Sequence, residues 1–210
     1  ELLIIMTVGM STIAGSVMVV YTTMLFPIYG SGLIGHFLSA SLISVPAAIM
    51  YANMMIPSNE KTDFPDEKSD DMYSSIMDSI TQGTKNGLDI FLNVIAMLIV
   101  VMALVFLVNS VLGLLPNLNG NPITLELILG YLFAPLAWFM GIPWSESIIA
   151  GQLLGVKTAL NEFVAYLYLS DTENYQLSEK TRMTLLYALC GFANFSSVGI
   201  LLSGLSAMVP

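Results

Sequence analysis

The sequence predicts an all-α integral membrane protein whose transmembrane helices include a re-entrant helical hairpin and broken helices. Three observations carry that expectation. Of 210 residues, 56% are hydrophobic and only 10% charged, with a mean hydropathy of +0.79, against roughly 25% charged in an average soluble domain. The apolar residues gather into six runs, roughly 2–27, 33–56, 88–115, 125–143, 146–169 and 183–210. Glycine, proline and small polar residues interrupt several of those runs in their interiors.

A helix rises 1.5 Å per residue and the hydrocarbon core is about 30 Å thick, so about 20 apolar residues make one crossing. The first two runs read as crossings joined by the Gly-rich turn at 30–35, with Pro46 kinking the second. Residues 57–87, PSNEKTDFPDEKSDDMYSSIMDSITQGTKNG, follow. Their first half reads as a solvated acidic loop. In the second half Met72, Ile76, Met77 and Ile80 fall at helical intervals, which predicts a short amphipathic helix on the membrane surface. The third run is a plain crossing that ends at PNLNGNP, 116–122.

The fourth run, TLELILGYLFAPLAWFMGIP, holds Gly130 and Pro135 in its interior. Proline removes a backbone donor and clashes with the preceding turn. The run therefore predicts a broken, re-entrant hairpin, a shape tolerated at membrane depth only where protein or a water-filled cavity surrounds it. The fifth run then returns across the membrane to SDTENYQLSEKTR, 170–182, which precedes the sixth. Of the six basic residues, Lys61, Lys68, Lys85, Lys180 and Arg182 lie in the two polar segments, and only Lys157 does not. The positive-inside tendency places both segments in the cytoplasm, as a hairpin in the fourth run followed by a crossing in the fifth would require. Trp138 and Trp144 suit an interfacial aromatic belt.

Several function classes are excluded. A formal net charge of −9 argues against nucleic acid as a partner. The lone Cys190 rules out an intrachain disulfide and a multi-cysteine metal site, and its apolar setting implies a buried, inert thiol. No basic n-region precedes the first apolar run, so no secretory signal is expected, and the acidic first residue suggests an internal start. No Ser/His/Asp order, HExxH pair or phosphate loop appears, and His36 reads as interfacial.

Polar groups cluster at three places: GMSTIAGSV (9–17), TALNEF (158–163) and CGFANFSSVG (190–199). A break in a helix frees carbonyls and amides, and transporters use such breaks near the midplane to hold cations and polar substrates. Small residues also line helix contacts, so AGSVM and SSVG alone are equally well read as packing. Asn194 needs partners in hydrocarbon. Glu162 is the sharper signal, because a carboxylate near the bilayer centre costs about 2.5–3.5 kcal/mol on insertion scales. A structural alternative is an ion pair with Lys157, although five residues of separation is not an ideal helical face. Two readings from other classes stay open: a helix-packing module without transport, and an intramembrane hydrolase with Glu162 as general base.

At these positions the sequence resembles the C-terminal portion of a concentrative nucleoside transporter. The stretches that carry the resemblance are STIAGSVMVVY, HFLSASLISVPAAIMYANMMIP, LELILGYLFAPLAWFMGIPW, GVKTALNEFVAYL and CGFANFSSVGILLSGLSAMVP. The resemblance implies an inverted-repeat transporter, multi-pass in the plasma (inner) membrane and trimeric when full length. It assigns 1–56 to two helices of the first repeat, 57–87 to the linker and 88–116 to a scaffold helix. To the second repeat it assigns 117–210, with a hairpin at 124–143 and broken helices at 145–169 and 180–210. It implies that Glu162, Asn194 and Ser197 bond ribose hydroxyls and that Phe192 and Val17 flank the base. Thr12 and the Ile13 carbonyl would serve a coupling cation, sodium or proton, with no other cofactor. Serine is expected at position 12; threonine keeps the hydroxyl and adds a methyl. The implied partners are a nucleoside, membrane lipid and an N-terminal half carrying the first hairpin, with its Gln-Thr-Glu residues, which is absent from this sequence.

Overall fold

The computed structural model describes residues 2–57, 74–116, 122–173, 176–195, 197–199 and 201, and among these all regular structure is helical. In chain order the helices are α1 (Leu2–Gly9), α2 (Gly15–Tyr29), α3 (Leu33–Met55), α4 (Ile76–Leu112), α5 (Leu125–Phe139), α6 (Trp144–Ala159), α7 (Glu162–Ser170) and α8 (Glu179–Leu189). Helical backbone resumes at 195, 197–199 and 201. Lys61, Lys68, Met72 and the sixth run beyond 201 lie outside the described residues.

The first apolar run breaks where its small polar residues cluster. The Ser11 hydroxyl donates to the Val8 carbonyl at 2.8 Å and its amide to the same oxygen at 3.1 Å, a local alternative to continuing α1. At Gly30 the backbone takes φ +69°, a left-handed conformation that glycine adopts without the Cβ clash. The chain then turns back, so Tyr21 of α2 lies against Phe37 of α3 with ring centroids 6.3 Å apart. Gly15–Met55 is apolar enough to cross a membrane, with a mean hydropathy of 1.8.

Helix α4 differs from expectation. The amphipathic segment and the third run are one helix of 37 residues, about 55 Å long. It starts where the Ser75 side chain accepts from the Asp78 amide and the Asp78 carboxylate accepts from Ser74, a reciprocal cap. Gly83 and Gly87 lower helix propensity by about 1 kcal/mol each but force no turn. At its far end Asn109 donates to both oxygens of Glu126, at 3.2 and 3.0 Å, and accepts from the Leu125 amide at 2.7 Å. One side chain thus docks the start of α5 onto α4.

The fourth run is not a hairpin, which corrects the assignment of 124–143. Helix α5 continues through Gly130 and Pro135, and the chain turns only at Gly141, φ +90°, leaving α6 bent 118° from α5. Gly130 serves contact rather than breakage. A Cβ there would lie 2.6 Å from Gln152 Cγ, and one on Gly151 would lie 2.4 Å from the Gly130 carbonyl oxygen. These glycines let α5 and α6 approach at backbone distance, as small residues do between membrane helices.

The hairpin lies one element later, in α6 and α7. Ser178 at the start of α8 hydrogen-bonds Glu146 at the start of α6, at 2.9 Å, while Lys157 of α6 lies beside Gly191 after α8. Helix α8 therefore runs parallel to α6. Glu162 reaches Asn194 and Tyr166 reaches the Leu186 carbonyl, so α7 runs antiparallel to both. The chain reverses at Leu160–Asn161 and returns to the end it left, which means 145–169 is not a crossing. Helix α5, at 15 residues about 22 Å long, is too short for one. Together with α6, from which it is bent by 118°, α5 forms a broken span or a re-entrant loop.

The core forms around Tyr21, Leu25, Phe37, Val156, Tyr166 and Leu186, all nearly inaccessible. By contrast Leu42, Phe106 and Phe139 are three-quarters exposed or more. Such an apolar exterior requires lipid or further protein against it.

Candidate functional site

Three chain discontinuities meet at one place. The first is the gap between α1 and α2, which contains Thr12 and Ile13. The second is the hairpin tip, Leu160–Asn161, and the third is the stretch after α8, Cys190–Asn194. Ser11 and Gly191 bring the first and third together, since a Cβ on Gly191 would lie 3.3 Å from the Ser11 carbonyl oxygen. Glu162 and Asn194 join the second to the third.

The hairpin tip is built by Asn161. Its backbone is extended, φ −168° and ψ 168°, and its side-chain oxygen accepts from the Val164 amide at 2.9 Å. It is an N-cap for α7, a role for which asparagine is strongly preferred. Glu162 is then the first residue of α7, where the helix's positive pole favours a carboxylate.

Glu162 is only 4% exposed. Its Oε1 accepts from the Tyr21 hydroxyl at 3.1 Å and its Oε2 from the Asn194 amide nitrogen at 3.0 Å. These bonds offset much of the burial that made the residue conspicuous. An ionised carboxylate has about four acceptor positions, so capacity remains for further donors. Lys157 is not the ion-pair partner; the phenol and the amide take that place.

Asn194 and Ser197 form a second cap. The Ser197 hydroxyl donates to the Asn194 carbonyl at 2.8 Å and accepts from the Asn194 amide at 3.0 Å, while Asn194 Oδ1 accepts from the Ser197 amide at 2.8 Å. This box starts the helical backbone at 195 and aims the Asn194 amide at Glu162. Ser197 is fully buried, and one lone pair of its hydroxyl is uncommitted.

Of the residues singled out in the sequence, Glu162, Asn194 and Ser197 form this network. Val17 lies on α2 one turn before Tyr21, packed against the core. Phe192 is half-buried in the third discontinuity, and Thr12 and buried Ile13 lie in the first. Among the described residues no hydrogen bond ties Thr12 or Phe192 to Glu162. Tyr21 was missed. Its signal was its place four residues after Val17, a tyrosine hydroxyl on the face already marked. Cys190 is a buried free thiol. The His36 Nδ1 lies 2.9 Å from the Tyr187 hydroxyl.

Residues 36–210 match the family described as Na+ dependent nucleoside transporter C-terminus. The chain is similar along its whole length to nucleoside permease NupC of Helicobacter pylori, at 39% identity over half of that protein. It is 35% identical to solute carrier family 28 member 3 of Homo sapiens, covering 32% of it. It is also similar to CNTnw in an inward-facing substrate-bound state, with a TM-score of 0.79 and 36% identity over all of this chain and 50% of that one. A variant of CNTnw in an outward-facing state matches with a TM-score of 0.79 at 35% identity, over all of this chain and 49% of that one. The chain spans about half the length of the bacterial relatives it matches.

Proposed function

This chain belongs to the sodium-dependent, or concentrative, nucleoside transporter family, and from that premise we propose that it is the C-terminal part of a cation-coupled nucleoside importer working by alternating access. It is a membrane protein of transporter type, and the hydrolase reading is dropped. The observation that carries the proposal is the Tyr21–Glu162–Asn194 network, a buried carboxylate with unused acceptor capacity where three helix breaks meet.

A ribose presents two vicinal hydroxyl donors, and an ionised carboxylate accepts from both in hydrogen bonds stronger than neutral ones. In this reading Glu162 takes the diol, Asn194 supplies an amide, and Ser197 offers its remaining lone pair. Phe192 and Val17 flank the base. Thr12 and the Ile13 carbonyl form one side of the coupling-cation site, completed by the half of the transporter that lies outside this chain. The relative named sodium/nucleoside cotransporter 1 of Mus musculus supports cation coupling, with sodium as the cation in this reading. The full-length protein is a homotrimer in the inner membrane.

Uptake of labelled uridine and adenosine tests the proposal. Cells lacking their own nucleoside importers would express the complete reading frame, with sodium present or replaced by choline. Concentrative uptake that requires sodium is expected. No uptake under sodium or an imposed proton gradient, at confirmed membrane expression, would sink the proposal.

A further inference from the structure

Lys157 lies in the last turn of α6, and the substrate reading leaves it without a task. Its ammonium lies 3.7 Å from the point a Cβ on Gly191 would occupy, and the Ser11 carbonyl oxygen lies 3.3 Å from the same point. Lys157, Ser11 and Gly191 come from beside the three different discontinuities. All three line a cavity of about 320 Å³ together with Thr7, Ser44 and Cys190.

The lining also carries the hydroxyls of Tyr51 and Tyr187, which can donate, but its three aliphatic hydroxyls present acceptors. The hydroxyls of Thr7, Ser11 and Ser44 each donate their one proton to a carbonyl of their own helix, those of Leu3, Val8 and Ala40, at 2.5, 2.8 and 2.7 Å. A hydroxyl whose proton is committed offers only lone pairs. The Ser11 carbonyl adds another acceptor. Helices α1, α6 and α8 all end here, each with the negative pole of its dipole, worth about half an elementary charge. Apart from Lys157, the donors there are the two phenols and the Cys190 thiol. A cation with several N–H groups is what it suits, and Lys157 brings three.

We propose that Lys157 is a tethered cation and a positioning residue. Its ammonium occupies the acceptor-lined cavity and holds the ends of α1, α6 and α8 in register, so that Glu162 and Asn194 meet. A side chain at Gly191 would crowd the Ser11 carbonyl oxygen at 3.3 Å and touch the ammonium at 3.7 Å. Removing the lysine leaves a cavity with a preference for small hydrogen-bonding cations.

The test is chemical rescue in the purified full-length transporter, read by uptake into liposomes and by thermal unfolding. Lys157→Ala, Lys157→Met and Lys157→Arg are each measured with ethylammonium, or with tetramethylammonium, which has no N–H to donate. Lys157→Ala is expected to lose uptake on the order of tenfold, as sites coupled through structure do. Ethylammonium restores uptake and unfolding temperature, and tetramethylammonium restores neither. Lys157→Met fills the cavity without a charge and stays low with both amines, whereas Lys157→Arg keeps most of the activity. Wild-type behaviour of Lys157→Met, or a Lys157→Ala defect that ethylammonium leaves untouched, would overturn the proposal. If Lys157→Ala does not fold, unfolding temperatures decide: Lys157→Arg near wild type with Lys157→Met low supports it, and equal loss in both overturns it. The thermal readout does not require transport, so failure of this inference is distinguishable from failure of the transport reading.

Discussion

The Asn194 amide nitrogen lies 3.0 Å from Glu162 Oε2, joining the tip of the α6–α7 hairpin to the break that follows α8. The Tyr21 hydroxyl holds the other carboxylate oxygen at 3.1 Å from a third helix. A single side chain therefore connects the hairpin tip, α2 and the break after α8; the first two variants below act on that arrangement and the next two on the helix contacts that position it.

Tyr21→Phe deletes one hydroxyl and keeps the ring that packs against Phe37 and Tyr166. The bond is made within the folded protein, and hydrogen bonds to charged groups contribute about 1.5–3 kcal/mol, so stability is expected to fall by about that amount, and uridine affinity to fall with the loss of the donor that orients the Glu162 carboxylate. Calorimetric binding and a thermal melt check both parts. An unchanged affinity would remove Tyr21 from the site.

Ser197→Ala removes a cap before it removes a ligand contact, since the hydroxyl bonds the Asn194 backbone at both ends. Loss of an N-cap serine costs about 0.5–2 kcal/mol. Stability is expected to fall by about that amount, with substrate affinity falling less than for Tyr21→Phe. A large affinity loss at unchanged stability would make Ser197 a direct ligand first.

Gly151→Ala places a methyl 2.4 Å from the Gly130 carbonyl oxygen and 2.8 Å from the Ala134 nitrogen, both backbone atoms. Overpacking of this kind costs about 1–3 kcal/mol or more. Gly83→Ala, with nothing within 4 Å, is expected to stabilise α4 by up to about 1 kcal/mol. Unfolding midpoints of the two full-length variants should move in opposite directions. A neutral Gly151→Ala would contradict the close approach of α5 and α6.

Asn109→Leu strips both oxygens of Glu126 and the Leu125 amide of their partner. These groups are only part-buried, so the loss is expected at about 1 kcal/mol, the low end for an acceptor left unsatisfied. The double variant with Glu126→Leu is expected to recover part of the loss, and additive losses would show that the two side chains do not act together.

Much of the site was legible in the sequence because its signals are local. Asn161 and Glu162 are expensive in an apolar run, and they stand at a real break. Asn194 and Ser197, three apart, form the cap their spacing allows. The elements were harder to place where long-range contact decides. Pro135 is the strongest breaker in its run, yet α5 continues through it, while the adjacent Gly130 admits α6 at backbone distance. The hairpin turns at Asn161, whose side chain caps the returning helix, and no composition rule distinguishes that tip from a kink in a crossing helix. The amphipathic start of α4 carries the right period but no stop, so its length was not visible from Ile76 and Ile80. Tyr21 reads as one aromatic among many until its hydroxyl is found on Glu162.

The most direct measurement is the discrimination between uridine and its 2′,3′-dideoxy analogue by purified full-length protein, wild type against Glu162→Gln, using calorimetric dissociation constants. Two charge-assisted hydrogen bonds predict a wild-type preference for uridine on the order of a hundredfold, and near-equal weak binding of both compounds by the variant. A Glu162→Gln protein that keeps the wild-type preference would contradict the assignment of Glu162 to the ribose.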